Sequence, residues 1–209
     1  MSLYLCSSFC FIDISLSYTL FHNFRYVHVE PEDLIHPPNT AENSTRILIE
    51  GEPGIGKSTL AMKIVYDWWT QNSSFKGLTD FELLFYININ KLRDLDFVTY
   101  MYEYLFSEEF IDIVPKEKIE KHVCKGVVRD KLLFIIDGYD EQLNTNNHLS
   151  KILRGKIFSQ STVILTSRPQ PYDELLCEFN RKFQIVGFTP DRKQHFIGNY
   201  AKSTNTDVH

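Results

Sequence analysis

Five short apolar runs of strand length recur along the chain, separated by polar or helix-periodic segments. Short apolar runs bounded by turn residues are typical of strands that are buried on both faces. The segment after residue 57 carries apolar residues at helical spacing, which predicts a long helix there. Further helices are predicted over residues 97–106, 115–130, 172–180 and 189–200. The five predicted strands are residues 46–50, 81–89, 131–137, 161–169 and 182–188.

The alternation of strands and helices predicts an α/β fold with a mainly parallel sheet covered by helices on both faces. Folds of this kind bind their ligands beyond the carboxyl ends of the strands. Three polar motifs directly follow three of the apolar runs, so we expect them to converge at one edge of the sheet.

The first motif, GEPGIGKST, follows the strand at residues 46–50 and matches the pattern G-x-x-x-x-G-K-[ST]. Glycines allow backbone N–H groups to converge on a phosphate, and the following helix directs its positive N-terminus at the same point. Lys57 is expected to reach the terminal phosphates, and Ser58 to offer its hydroxyl to Mg²⁺. The predicted phosphate loop, residues 51–59, consists of Gly51, Glu52, Pro53, Gly54, Ile55, Gly56, Lys57, Ser58 and Thr59.

The second motif, KLLFIIDGYDE, ends an apolar strand in acidic residues. Asp137 at the strand end suits a Mg²⁺ site shared with Ser58, because Mg²⁺ takes oxygen ligands and retains several waters. Gly138 leaves room for phosphates. Asp140 and Glu141 lie one short turn further on, where either could orient an attacking water, and the spacing does not choose between them.

The third motif, VILTSRP, places Arg168 directly after another apolar strand. An arginine at this position can contact a terminal phosphate and so respond to its presence. The alternative is a surface arginine that only ends the strand.

Composition narrows the class of partner. The chain has 209 residues, a net charge of −5 and 43% hydrophobic residues, which fits one globular α/β domain and disfavours nucleic acid as the main partner. Its four cysteines fit no zinc-binding spacing, so we expect free thiols in a reducing compartment. Residues 1–24 are apolar but interrupted by Asp13, which fits neither a membrane span nor a signal peptide. We interpret them as a poorly specified leader, followed by a nucleotide-binding domain over residues 25–205 and a tail over 206–209.

The three motifs, in this order, resemble the NACHT module of the NOD-like receptor family, which belongs to the signal-transducing P-loop NTPases. A small residue after the magnesium aspartate, with an acidic pair further on, is the most specific sign. The stretch IVGFTPDRKQHFIGNY resembles the segment that leads out of the NACHT core. The resemblance implies a three-layer αβα sandwich with a mainly parallel five-stranded sheet of ASCE-type order. It places the arginine strand between the phosphate-loop strand and the magnesium strand.

The resemblance also implies a function. NACHT modules bind ATP or ADP with Mg²⁺, and they act as switches that are closed with ADP and oligomerise with ATP. We therefore expect a cytoplasmic innate-immune signalling switch with slow ATP hydrolysis, self-association through this module, and effector and sensor domains outside this chain. Two alternatives remain at this level. One is a scaffold that binds nucleotide without hydrolysing it, and the other is a P-loop kinase for a small molecule.

Overall fold

The five predicted strands form the parallel part of one seven-stranded sheet. The strands are β1 (Ser15–Leu20), β2 (Arg25–Val29), β3 (Arg46–Glu50), β4 (Leu83–Asn88), β5 (Leu132–Asp137), β6 (Thr162–Ser167) and β7 (Arg181–Gly187), in the spatial order β2-β1-β7-β3-β6-β5-β4. The computed structural model describes residues 15–20, 25–35, 45–72, 74–92, 95–107, 113–119, 131–141, 147–169, 174–187, 194 and 197–198. For β1, β2, Glu141, Asn147 and Cys177 it describes the backbone alone.

The helices lie between the strands, as the apolar spacing predicts. The long helix α1 (Lys57–Trp69) follows β3 directly, and a short α3 (Phe97–Tyr100) continues into a π-helical turn (Met101–Leu105) within the predicted helix at 97–106. The remaining helices are α2 (Ile89–Leu92), α4 (Asn147–Leu153) and α5 (Glu174–Cys177), with 3-10 turns at Pro31–Asp33, Leu78–Asp80 and Tyr139–Glu141. Most of the helices predicted over 115–130 and 189–200 lies outside the described residues.

Two apolar cores cover the two faces of the sheet. Leu60, Ala61 and Ile64 of α1 pack on one face, and Phe97 and Leu149 pack on the other. All six residues of β5 and of β6 are buried, which explains why both strands are nearly continuous apolar runs in the sequence. The predicted three-layer αβα sandwich is confirmed.

Strand β6, which Arg168 follows, lies between β3, which the phosphate loop follows, and β5, which ends at Asp137, as the resemblance implied. All three run parallel, so their carboxyl ends meet at one edge of the sheet. Glu50 pairs with Ser167, and Asn88 pairs with Asp137. The register therefore brings the residues that follow β3, β5 and β6 together.

The sheet is wider than the five strands predicted. β1 pairs antiparallel with β2 on one side and with β7 on the other. The sequence predicts no strand before residue 25, because serines and threonines dilute the apolar pattern of β1. β1 forms a strand because the edge of β7 offers partners for its backbone hydrogen bonds, although its own sequence has no strand pattern.

Among the described residues, no helix is long and apolar enough to cross a membrane.

Candidate functional site

The phosphate loop turns sharply between β3 and α1, and its glycines make the turn possible. Gly54 and Gly56 have φ angles of 75° and 107°, a region that favours glycine. Gly56 is the N-cap of α1 and provides no side-chain cap, so the first-turn N–H groups of α1 are available to an anion. The positive end of the helix dipole lies at the same position. These features suit a loop that wraps a phosphate.

The side chain of Ile55 packs against the base of the phosphate loop. A Cβ built on Gly51 would lie 2.7 Å from Cγ2 of Ile55, and one built on Gly187 would lie 3.1 Å from Cδ1 of the same side chain. Ile55 therefore packs closely between the base of the loop and the end of β7. Glu52 accepts a hydrogen bond from the main-chain N–H of Ile55 at 3.3 Å through its carbonyl oxygen, which closes the turn.

The Lys57 ammonium group folds back over this turn. Its Nζ donates to the carbonyl oxygens of Gly51 at 2.7 Å and of Glu52 at 3.1 Å. Two backbone acceptors thus hold the positive charge above the loop, close to the N-terminus of α1. A bound phosphate would compete for this charge, because its oxygens are ionised whereas the backbone carbonyl oxygens are not.

Asp137 lies at the end of β5 with only 5% of its surface exposed. Its Oδ1 accepts a hydrogen bond from Thr166 Oγ1 at 2.5 Å, and its Oδ2 accepts one from the Tyr86 hydroxyl at 3.0 Å. The main-chain N–H of Gly138 donates to the same Thr166 hydroxyl at 3.0 Å. Burial, together with the neighbouring Asp137 charge, raises the pKa of Tyr86 far above its ordinary value, so this phenol stays protonated and donates.

Asp140 and Arg168 form an ion pair beside Asp137. Arg168 Nε lies 2.7 Å from Asp140 Oδ2, and the Arg168 main-chain N–H donates to Asp140 Oδ1 at 2.9 Å. The Asp140 side chain is 8% exposed, whereas that of Arg168 is 53% exposed. The carboxylate is therefore fixed in the wall of the site, and the guanidinium group extends from it toward solvent.

A single cavity of about 250 Å³ separates the phosphate loop from these polar groups. Most of the residues predicted from the three motifs line it. Ser58 and Asp137 supply a hydroxyl and a carboxylate to the same space, which is the donor chemistry that Mg²⁺ prefers. The lining residues are Pro53, Gly54, Gly56, Lys57, Ser58, Thr59, Asp137, Gly138, Asp140, Thr166 and Arg168.

Three predicted residues of the loop, Gly51, Glu52 and Ile55, form its base and are not among the lining residues. The side chain of Glu141 lies outside the described residues. Sequence reasoning gave no role to Thr166, although the motif VILTSRP contains it, and it missed Tyr86 altogether. Only its place two residues before the end of the strand that neighbours β5 could have drawn attention to Tyr86.

Comparison with known proteins shows the family to which the chain belongs. The sequence model of the NACHT domain matches residues 45–204, which is most of the chain. The chain belongs to the NACHT domain family. This match includes the phosphate loop, the acidic motif and Arg168.

The chain is also similar to curated proteins that carry this domain. It is 29% identical over 187 residues to NACHT, LRR and PYD domains-containing protein 12 of Homo sapiens, a match covering 79% of this chain and 16% of that protein. It is 26% identical over 180 residues to protein 3 of the same series from Homo sapiens, covering 74% of this chain and 16% of that protein. The chain therefore spans about a sixth of the length of these relatives.

Among solved structures, the chain overlaps with the Aeropyrum pernix ORC2 protein in its ADPNP–ADP complexes. The TM-score is 0.48 at 14% identity, covering 76% of this chain and 45% of that one. It also overlaps with Caenorhabditis elegans PCH-2, with a TM-score of 0.39 at 17% identity, covering 77% of this chain and 40% of that one. The fold assignment itself rests on the strand order and the family match.

Proposed function

We propose that this NACHT domain binds ATP and ADP with Mg²⁺ in the cavity beside α1 and acts as a nucleotide-dependent switch with slow ATP hydrolysis. One observation carries the proposal: the phosphate loop faces Asp137, Asp140 and Arg168 across a single cavity. A cluster of one lysine, one arginine and two carboxylates around an anion-binding helix terminus suits a triphosphate with its metal ion.

Each residue would have a distinct task. The N–H groups of the loop and the first turn of α1 would bind the phosphate oxygens, and Lys57 would exchange its backbone acceptors for them. Ser58 and Asp137 would hold Mg²⁺, which would neutralise phosphate charge when bound. Arg168 would contact the terminal phosphate, so it would distinguish ATP from ADP. Asp140 or Glu141 would orient the attacking water.

The switch itself is supported by family membership. We propose that ATP favours an open, self-associating state and that ADP favours a closed one, since a ligand shifts an equilibrium only by its different affinities for the two states. In this proposal the chain works in the cytoplasm as part of a longer innate-immune receptor whose effector and sensor regions are separate from this domain. The length of its relatives supports the proposal that the receptor is longer than this domain, because the match covers 16% of each relative.

The first experiment identifies the nucleotide. Mass spectrometry of small molecules released from the purified chain should find ADP or ATP. Calorimetric titration of the Lys57→Ala variant with ATP should then show no measurable binding, because the loop loses its fixed positive charge. Affinity for ATP equal to that of the parent chain would refute the nucleotide site.

The second experiment separates a switch from a scaffold. Phosphate release and the mass of the assembly by size-exclusion chromatography are measured for the parent, Asp140→Asn and Glu141→Gln. Substituting the true base should abolish phosphate release, leave ATP bound and increase self-association. If the parent releases no more phosphate than Lys57→Ala, and neither Asp140→Asn nor Glu141→Gln changes the assembly, the domain is a non-catalytic scaffold. Transfer of phosphate to a small acceptor would indicate a kinase.

A further inference from the structure

The carboxylate of Asp137 is held from both sides by hydroxyl groups on the two neighbouring strands. Tyr86 on β4 donates to Oδ2 at 3.0 Å, and Thr166 on β6 donates to Oδ1 at 2.5 Å. Since β5 lies between β4 and β6, the two donors approach from opposite sides in the plane of the sheet. We call Tyr86 and Thr166 the carboxylate clamp. Rotation of the Asp137 carboxylate would break both of its hydrogen bonds.

The direction of each hydrogen bond in the clamp follows from the donors and acceptors that surround it. The Gly138 N–H donates to the Thr166 hydroxyl, which leaves the single hydroxyl hydrogen of Thr166 for Asp137. An ionised carboxylate only accepts hydrogen bonds, so both clamp hydroxyls are donors to it.

Register explains why Tyr86 reaches Asp137. Tyr86 pairs with Ile135, and Asn88 pairs with Asp137, on adjacent parallel strands. Side chains two residues apart along a strand point to the same face of the sheet. Tyr86 and Asn88 therefore share a face with Asp137, and the long phenol side chain spans the distance of one residue pair to the carboxylate.

We propose that Tyr86 is a positioning residue that fixes the Asp137 carboxylate in the orientation needed to bind a divalent cation at the phosphate cavity. This inference rests on the proposed nucleotide-binding function. The clamp occupies one acceptor position on each carboxylate oxygen, and the remaining positions are left for the cavity that Asp137 and Ser58 both line. Groups that orient a metal ligand typically contribute 10–100-fold to metal affinity or activity.

Tyr86 provides a cleaner test of the clamp than Thr166 does. Thr166 lines the cavity and also holds Gly138, so its substitution changes several contacts at once. Tyr86→Phe removes a single oxygen. Tyr100→Phe is the matched control, because it also removes one phenol hydroxyl beside β4. The Tyr100 hydroxyl lies in the apolar core on the other face of the sheet, accepts a hydrogen bond from the Asn88 main-chain N–H at 3.2 Å, and has no described hydrogen bond with Asp137.

The experiment measures ATP binding by calorimetry in the parent chain, Tyr86→Phe and Tyr100→Phe, each titrated over a range of Mg²⁺ concentrations and also with EDTA. Tyr86→Phe should raise the Mg²⁺ concentration for half-maximal enhancement of ATP binding by about 10-fold. Its affinity for ATP in EDTA should equal that of the parent, since no phosphate contact is lost. Tyr100→Phe should match the parent in both conditions. Two further variants are measured in the same way. Thr166→Val should also raise the Mg²⁺ concentration for half-maximal enhancement of ATP binding, whereas Thr166→Ser, which keeps the hydroxyl, should match the parent.

The outcomes separate this inference from the proposed function. If the parent chain binds ATP no better than Lys57→Ala, the nucleotide site is wrong, and the inference falls with it. If the parent binds ATP in a Mg²⁺-dependent way but Tyr86→Phe has the same Mg²⁺ response, the inference alone is overturned. It is also overturned if Tyr86→Phe weakens binding equally with Mg²⁺ and with EDTA, or if Tyr100→Phe produces the same change, because the phenol would then be structural.

Discussion

Substituting Arg168 should reduce the preference of the protein for ATP over ADP. The guanidinium group has five N–H donors, and its described ion pair with Asp140 uses Nε, which leaves the terminal nitrogens for a phosphate. One charge-assisted hydrogen bond contributes about 1.5–3 kcal/mol. Arg168→Ala should therefore weaken ATP binding by about 10- to 100-fold, at about 1.4 kcal/mol per tenfold change. The affinity for ADP should change less than about twofold, since ADP lacks the terminal phosphate with which Arg168 would form this hydrogen bond.

The same substitution should have little effect on folding. Arg168 is half exposed, and ion pairs that are open to water typically contribute about 0–1 kcal/mol to stability. Arg154→Ala is a matched control. Its ion pair with Glu178, at 3.5 Å, joins two exposed side chains, and Arg154 does not line the cavity. Both variants should keep the free energy of unfolding within about 1 kcal/mol of the parent, and Arg154→Ala should also keep the parent affinity for both nucleotides.

A double-mutant cycle tests whether Asp140 acts through Arg168. Calorimetry gives the ATP and ADP affinities of the parent, Arg168→Ala, Asp140→Asn and the double variant. Groups in direct contact typically couple by about 0.5–3 kcal/mol. We expect such a coupling for ATP and almost none for ADP. If Arg168→Ala weakens ATP and ADP binding equally, Arg168 is structural. Additive effects on ATP binding would instead mean that Asp140 works independently of Arg168.

Three further predictions concern stability and the loop. Arg46→Ala should lower the free energy of unfolding, measured in urea, by about 3–5 kcal/mol. The substitution removes a buried guanidinium group that donates to backbone carbonyls, including that of Ser161 at 2.5 Å. A loss below about 1 kcal/mol would contradict its structural role. Gly51→Ala should weaken ATP binding about 10-fold by pushing on Ile55, and adding Ile55→Ala should recover most of it; no recovery would exclude this contact as the cause. ATP at a thousand times its dissociation constant should raise the free energy of unfolding by about 4 kcal/mol in the parent and not in Lys57→Ala, as measured by thermal denaturation.

Local sequence alone determined the parts of this protein that depend on contiguous residues. The phosphate loop is predicted from a pattern of eight consecutive positions, and the left-handed turns at Gly54 and Gly56 favour glycine whatever the rest of the fold. The buried strands β5 and β6 are recognisable because both of their faces are covered, which requires continuous apolar runs. The motif order also implied that β6 lies between β3 and β5, through the resemblance to a known family.

Only the tertiary structure decided which groups meet across long separations. Tyr86 and Asp137 are 51 residues apart, and Thr166 and Asp137 are 29 apart, so no local pattern links them. The pairing of Asp140 with Arg168 likewise follows from strand register. Arg46 looks like a charged residue at the start of a strand, yet it is 9% exposed, because carbonyl groups from a distant loop satisfy its donors. Hydrogen-bond partners of this kind are set by three-dimensional packing. The spacing of residues along the sequence does not predict them, because the partners are far apart in the chain.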